Sequence, residues 1–254
     1  MKQIQSLQDT LRSLRFGETA NHLPTLLETA ETDHLTYAQF LMKVMEYEQK
    51  RREEKRIERH LKWATFPYHK TLNQFNLNEQ QSLSQKQFNK LAELIWIEQL
   101  YNLILLGPPG VGKTHLAIGL GMKAIYSGYK VIFTTMGELV QTLKTEEITR
   151  KSQTRMKRIR NADLVIIDDL MFMAMNQSEA NLLFHLINDL YNTSSVILTS
   201  NKAPKEWGEL LGDPAITTAV LDRILHRVEI IHLNGDSYRM KHRKSIFEEE
   251  NVTN

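Results

Sequence analysis

The chain has no cysteine among its 254 residues. That excludes a disulfide framework and thiolate metal sites, and it suits a reducing, cytoplasmic setting. Long hydrophobic runs are also missing: the apolar stretches are strand-sized, so none reads as a membrane span. The opening Met1-Lys2-Gln3-Ile4-Gln5-Ser6-Leu7-Gln8 lacks the apolar centre of a signal peptide. Bulk charge says little, because the net formal charge is only +2; the clustering of the cations carries more information. There is no internal repeat and no low-complexity tract. The length and the 24% of charged side chains fit one sizeable core with a smaller appendage.

What is present begins with Asn102-Leu103-Ile104-Leu105-Leu106-Gly107-Pro108-Pro109-Gly110-Val111-Gly112-Lys113-Thr114. An apolar strand leads into G-x-x-x-x-G-K-T and then a helix, which is the context a P-loop requires. The glycines Gly107, Gly110 and Gly112 let successive backbone N–H groups turn inward around a phosphate, with Pro108, Pro109 and Val111 completing the loop. The helix N-terminus adds a partial positive charge. Lys113 is expected to reach the β- and γ-phosphates of ATP, and the Thr114 hydroxyl to bind Mg²⁺. Downstream, Asp163-Leu164-Val165-Ile166-Ile167-Asp168-Asp169 is an apolar strand ending in two acids. In an open α/β sheet such a strand end lies beside the ligand. Asp168 is then the metal-side carboxylate, and Asp169 orients or deprotonates the attacking water. The plain alternative is a pair of acids that merely cap the strand and face solvent.

Residues 1–65 carry helical spacing without strand patterns: Leu7, Leu11 and Leu14 share one face, Leu23, Leu26 and Leu27 another. Thr36 suits an N-cap for a long helix that begins at Tyr37, with Leu35 as a staple, and that Pro67 ends. Residues 66–85 read as a linker rich in Asn and Gln, with Phe66, Tyr68, Phe75 and Leu77 as anchors. Residues 86–254 read as α/β, with strands at 102–107, 130–135, 163–168, 195–200 and 228–233. Helical stretches separate them, so the sheet is expected to be parallel and covered on both faces. The connection from the second to the third strand holds two helical pieces, about 137–144 and 147–160. Few residues follow the fifth strand, too few for a helical lid of the usual size.

Two basic runs stand out. One lies at 50–62 and includes Arg51, Arg52, Lys55 and Arg59 among glutamates; its bland reading is a solvated helix laced by ion pairs. The other, Arg150, Lys151, Arg155, Lys157, Arg158 and Arg160, has no acid between Glu147 and Asp163. It is therefore the stronger candidate for phosphate contacts on duplex DNA, with little base specificity. Lys241, Arg243 and Lys244 add a small cluster. Met171, Met173 and Met175 suit core positions better than a contact loop.

Several segments resemble a known family. Gly107-Pro108-Pro109-Gly110-Val111-Gly112-Lys113-Thr114-His115-Leu116-Ala117 resembles the AAA+ ATPases related to bacterial helicase loaders. More narrowly, four segments are similar to the IstB-like transposition helper ATPases: Val196 to Asn201, Glu206 to Pro214, Leu221 to Arg227 and Gly235 to Arg239. The stretch from Arg56 to Leu72, with its Phe66-Pro67-Tyr68, resembles them too. The likeness covers nearly the whole chain. It implies an α/β fold: a P-loop AAA+ core with a five-stranded parallel sheet, little or no C-terminal lid, and an N-terminal all-helical domain. It also implies an ATPase that assembles on DNA as a homo-oligomer, ring or helical array, and assists a partner transposase. By resemblance, Asn201 corresponds to sensor 1, Arg223 to an arginine finger acting on a neighbouring subunit's ATP, and Arg239 to a sensor-2-like residue. Arg227 competes with Arg223 for the finger. The bland reading of Arg223 is a helical arginine paired with Asp222 or Asp213. Two departures matter. Asp169 stands where most relatives carry Glu, which implies slow turnover, and Leu190 stands where relatives often carry Arg. A replicative helicase loader is the runner-up with the same ATP site. A small-molecule P-loop kinase would need a mobile lid and an acceptor pocket.

Overall fold

In the computed structural model the described residues are 2–80, 82–170, 175–209 and 214–241. Met171, Met173, Asp213, Arg243 and Lys244 lie outside them. Among the described residues no helix is long and apolar enough to cross a membrane. The chain divides into two compact units, residues 1–60 and 61–254.

The first unit is helical: α1 (Lys2–Ser13), α2 (Gly17–Thr32) and the first part of α3 (Tyr37–Ala64). Thr36 and Gln39 form a reciprocal cap at the start of α3: the Thr36 N–H donates to Gln39 Oε1 at 2.9 Å, and the Gln39 N–H donates back to Thr36 Oγ1 at 3.4 Å. No side chain of its own caps α2 at Phe16. Glu48 of α3 does so instead, accepting from the Thr19 N–H and hydroxyl at 2.8 Å each, and from Arg52 Nε at 2.8 Å. An anion on the orphan N–H groups of a helix start also opposes the helix dipole. Burial pushes the Glu48 carboxyl up, but Thr19 and Arg52 outweigh it and hold it below the usual 4.5. A depressed folded value means that the contribution is present above pH 4.5 and is lost as pH falls through the folded value. Glu48→Gln is therefore expected to melt earlier than wild type at neutral pH, with the difference closing on acidification below 4.5. Thermal denaturation of the two proteins across pH checks this, and a pH-independent gap would count against it.

The second unit continues with 3₁₀ turns at Leu72–Gln74 and Leu77–Glu79, then α4 (Gln85–Ala92) and α5 (Ile95–Glu98). The sheet elements follow: β1 (Asn102–Leu106), α6 (Lys113–Tyr126), β2 (Val131–Thr135), α7 (Met136–Lys144), α8 (Arg150–Arg160), β3 (Leu164–Asp168), α9 (Gln177–Leu190), β4 (Ser195–Ser200), α10 (Pro214–Leu225), β5 (Val228–His232) and the short α11 (Tyr238–Lys241). All pairings are parallel, in the order β2-β3-β4-β1-β5. The five strands stand within one residue of the sequence reading. β3 is buried along its whole length, as a strand covered on both faces must be. One side carries the cluster of Met136, Leu139, Met156, Ile159, Leu183 and Leu186 from α7, α8 and α9; α6 packs on the other. β1 lies between β4 and β5, so the P-loop leaves the sheet between two strand ends.

Segment 66–85 is not a free tether. Phe75 stacks on Phe88 (centroids 5.8 Å apart) and meets the His115 ring edge-on at 5.4 Å. His115 Nε2 sits 3.2 Å from the Thr71 carbonyl, and Gln80 Nε2 donates to the Val111 carbonyl at 2.7 Å. The segment is thereby laid along the P-loop and the first turn of α6.

Candidate nucleotide site

Two glycines of the loop are fixed by close approach. A Cβ on Gly107, at φ +152°, would come within 2.1 Å of the Leu233 carbonyl oxygen, and one on Gly110, at φ +88°, within 2.1 Å of Ser237 Oγ. Only glycine fits there. The chain after β5 is bonded to the same loop, with the Leu233 N–H on the Leu106 carbonyl at 2.7 Å and the Tyr238 N–H on the Gly110 carbonyl at 3.1 Å. Gly112, at φ +97°, opens α6. Lys113 is buried to 9% exposure. Its ammonium donates to the carbonyls of Gly107 at 2.7 Å and Pro108 at 3.0 Å, inside the curve of the loop. Burial pulls this ammonium below the ordinary lysine range; Asp169 and Asp168 draw it back up, and Arg239 pushes it down.

Thr114 Oγ1 lies 3.0 and 3.2 Å from the two carboxylate oxygens of Asp168. A hydroxyl and a carboxylate converging at the start of a phosphate-binding helix are hard oxygen donors of the kind Mg²⁺ takes alongside nucleotide phosphates. This donor set fits Mg²⁺. Asp168 is 8% exposed. Burial pushes its carboxyl up, the Thr199 and Thr114 hydroxyls pull it down, Asp169 raises it and Lys113 lowers it. Asp169 is exposed and left-handed, at φ +57°. That conformation is uncommon for a residue with a Cβ and marks a constrained turn. A cleft of about 910 Å³ gathers Gly110 to Thr114, Asp168, Asp169 and Arg239 with Tyr68, Phe75 and Gln80. Burial raises the Tyr68 phenol above its usual range, Asp168 raises it further and Arg239 lowers it.

A family model described as IstB-like ATP binding protein matches residues 9–246. The chain belongs to this family. It is 38% identical over 241 residues to the insertion sequence IS21 ATP-binding protein of Pseudomonas aeruginosa, covering 95% of this chain and 91% of that one. It is equally 38% identical to an IS21-like ATP-binding protein of Bacteroides fragilis, covering 99% and 96%. Among solved structures it resembles DnaI, with a TM-score of 0.55, 17% identity and coverage of 65% of this chain and 92% of that one. It also resembles AMPPCP-bound DnaA from Aquifex aeolicus, with a TM-score of 0.50, 24% identity and coverage of 65% and 50%. These likenesses show the fold of about two thirds of the chain, a parallel α/β sheet carrying the P-loop.

In this IstB-like protein the cleft lining takes in neither Asn201 nor Arg223. Asn201 is exposed directly after β4, and β4 ends level with β1 (Ser200 opposite Leu106), at the P-loop end of the sheet. Arg223 lies on α10 against α9. It donates to Asn188 Oδ1 at 3.1 Å and the Ala219 carbonyl at 3.0 Å, and covers the Phe184 ring at 4.8 Å. Among the described residues its partners are thus an amide, a carbonyl and a ring; Asp213, which the bland reading names, lies outside them.

Three of the six α8 cations, Arg155, Arg158 and Arg160, are engaged within the chain although no acid lies near them in the run. The partners come from elsewhere in the chain. Arg160 pairs with Glu146 and Asp189, which hold its guanidinium above the usual range. Arg155 donates to the Phe133 carbonyl at 2.9 Å and Thr65 Oγ1 at 3.1 Å. Arg158 lies 5.0 Å over the Trp63 ring. Arg150, Lys151 and Lys157 are exposed. In the first unit, Arg51 pairs with Glu54 at 2.5 Å, Arg52 with Glu48 at 2.8 Å, and Lys55 with Glu18. Even so, Arg12, Arg15, Arg52, Lys55, Arg56 and Arg59 line one open hollow of about 710 Å³ in which Glu18 and Glu48 are the acids.

Sequence reasoning missed Thr199. Its hydroxyl donates to Asp168 Oδ1 at 2.5 Å and accepts the Asp169 N–H at 3.0 Å. The available signal was a polar pair, Thr199-Ser200, ending an apolar strand beside the acid-ended one.

Proposed function

We propose that this protein is a Mg²⁺-dependent ATPase of an insertion sequence, in the cytoplasm, that assembles on duplex DNA and assists a partner transposase. The observation that carries the hydrolytic part is the convergence of Lys113, Thr114 and Asp168 in one cleft, with the Thr114 hydroxyl 3.0 Å from the Asp168 carboxylate. The loop N–H groups and Lys113 hold the phosphates. Thr114 and Asp168 would hold Mg²⁺, which would supply neutralisation of charge on the phosphate oxygens. Asp169 orients the water; being one methylene shorter than glutamate, it makes turnover slow. Asn201 and Arg239 contact the γ-phosphate side, and Arg223 reaches a neighbouring subunit's nucleotide. A residue that serves the next subunit's site requires head-to-tail assembly, a ring or a helix. The names of the relatives, insertion-sequence ATP-binding proteins, support the transposase as partner.

DNA contact rests on the exposed cations of α8, Arg150, Lys151 and Lys157, and on the basic hollow of the first unit with Arg52, Lys55 and Arg59; Arg51 lies in the same run. Each subunit offers few phosphate contacts, so avidity from an ATP-held array makes binding tight. Binding of a labelled 50-base-pair duplex is therefore expected to need ATP and Mg²⁺ and to weaken with salt, with a log–log slope of about −0.9 per phosphate contacted. Changing Arg150, Lys151 and Lys157 together to alanine is expected to weaken binding to all sequences alike and flatten that slope, while ATP binding without DNA survives. Arg155, Arg158 and Arg160 are left in place because they hold the fold. Full affinity with an unchanged slope in the triple variant would move the DNA surface to the hollow. Nucleotide-independent binding in wild type would refute assembly as its basis.

A further inference from the structure

The geometry points to Thr199 as a positioning residue that sets the metal-side and water-side acids in one act. Thr199 is 1% exposed in β4, after Val196, Ile197 and Leu198. Packing there asks only for a β-branched apolar residue, and valine has the same shape. A buried hydroxyl costs stability unless it is fully partnered. This one is, and its partners are the acid-bearing turn. As donor it binds Asp168 Oδ1 at 2.5 Å, and as acceptor it takes the Asp169 N–H at 3.0 Å. Its own carbonyl accepts the Leu170 N–H at 3.1 Å.

Two consequences follow. With Oδ1 tied to Thr199, the Asp168 carboxylate cannot rotate freely, and Oδ2 is kept 3.2 Å from Thr114 Oγ1 as the oxygen available to a cation. The second bond holds the Asp169 N–H inward and so secures the left-handed turn, φ +57°, at a residue that lines the cleft. Because Asn201 directly follows β4, the hydroxyl ties the turn after β3 to the strand that leads into the third polar group. A residue that orients a metal ligand through a hydrogen bond acts at a distance from substrate, and its loss commonly costs about 10–100-fold in metal affinity or activity.

This inference rests on the ATPase reading, and its test separates the two. Thr199→Val and Thr199→Ser are compared with wild type by kcat and KM for ATP, and by binding of a fluorescent ADP analogue in EDTA and across a Mg²⁺ titration. Thr199→Val is expected to lower kcat about 10–100-fold, with KM within about twofold. It should raise the Mg²⁺ midpoint about 10-fold and leave binding in EDTA unchanged. Thr199→Ser keeps the hydroxyl and should stay within about threefold of wild type on each. Thr199→Val matching wild type in kcat and Mg²⁺ midpoint overturns the inference, as does Thr199→Ser failing as badly as Thr199→Val. Should the valine variant not fold, Thr199→Ala against Thr199→Ser makes the same comparison, and equal deficits overturn it. A wild-type protein without Mg²⁺-ATPase activity would sink the ATPase reading, while the Mg²⁺ midpoint of nucleotide binding would still judge Thr199.

Discussion

Lys113→Ala is expected to abolish ATP binding at working concentrations. The Lys113 ammonium already sits inside the loop, on the carbonyls of Gly107 and Pro108. It has room to turn to two phosphates, and each charge-assisted hydrogen bond contributes about 1.5–3 kcal/mol. Two such bonds amount to about 3–6 kcal/mol, or roughly 10²–10⁴-fold in dissociation constant. Burial lowers the ammonium below the ordinary lysine range, and Asp169 and Asp168 beside it offset part of that. Asp168→Ala should behave differently. It removes a metal-side carboxylate and leaves the loop intact, so nucleotide binding in EDTA should survive while hydrolysis disappears. Calorimetric titration with ATP and phosphate release with Mg²⁺ read the two variants separately. Wild-type hydrolysis by Lys113→Ala would mean that the cleft is not the site.

Local features of this chain were legible, and remote ones were not. The P-loop reads directly because its determinants are contiguous: strand, turn and helix start follow one another from Asn102 to Thr114. The strands read well because each is a short apolar run bounded by polar residues. Strand order did not, since nothing in the periodicity of β1 says that β4 and β5 flank it. Segment 66–85 looked like a linker because its polar composition hides sparse anchors. Phe75 is held by Phe88 and His115, and Gln80 by Val111. The internal partners of three α8 cations were hidden for the same reason. Glu146 and Asp189, the partners of Arg160, lie 14 and 29 residues away. Arg155 answers to a backbone carbonyl, which no side-chain pattern reveals. Thr199 was overlooked because a threonine in a strand has an ordinary packing explanation, and only the two hydrogen bonds to the acid turn set it apart.

Arg223→Ala is expected to cost at least about 10³-fold in ATP turnover, the lower end of what an arginine finger supplies, with nucleotide binding to the isolated subunit unchanged. Arg223 stands apart from the cleft of its own chain. Its guanidinium rests over Phe184 and on Asn188, on the surface shared by α9 and α10, beside His226 and Arg227. Among the described residues it meets a ring, an amide and a backbone carbonyl, and a guanidinium is suited to a phosphate on another molecule. The decisive test is complementation. Arg223→Ala retains an intact cleft and lacks the finger; Asp168→Ala retains the finger and lacks a working cleft. In an equal mixture of head-to-tail assemblies, about a quarter of interfaces set an intact finger against an intact cleft. Activity should therefore rise well above that of either variant alone. It should not rise when Arg223→Ala is mixed with the double variant Asp168→Ala/Arg223→Ala, which has no finger to lend. Arg227→Ala serves as comparator: if it, rather than Arg223→Ala, complements Asp168→Ala, the finger lies one turn further along the chain. Mixtures that co-assemble by light scattering yet stay inactive with both arginine variants would rule out a trans-acting role for Arg223 and Arg227.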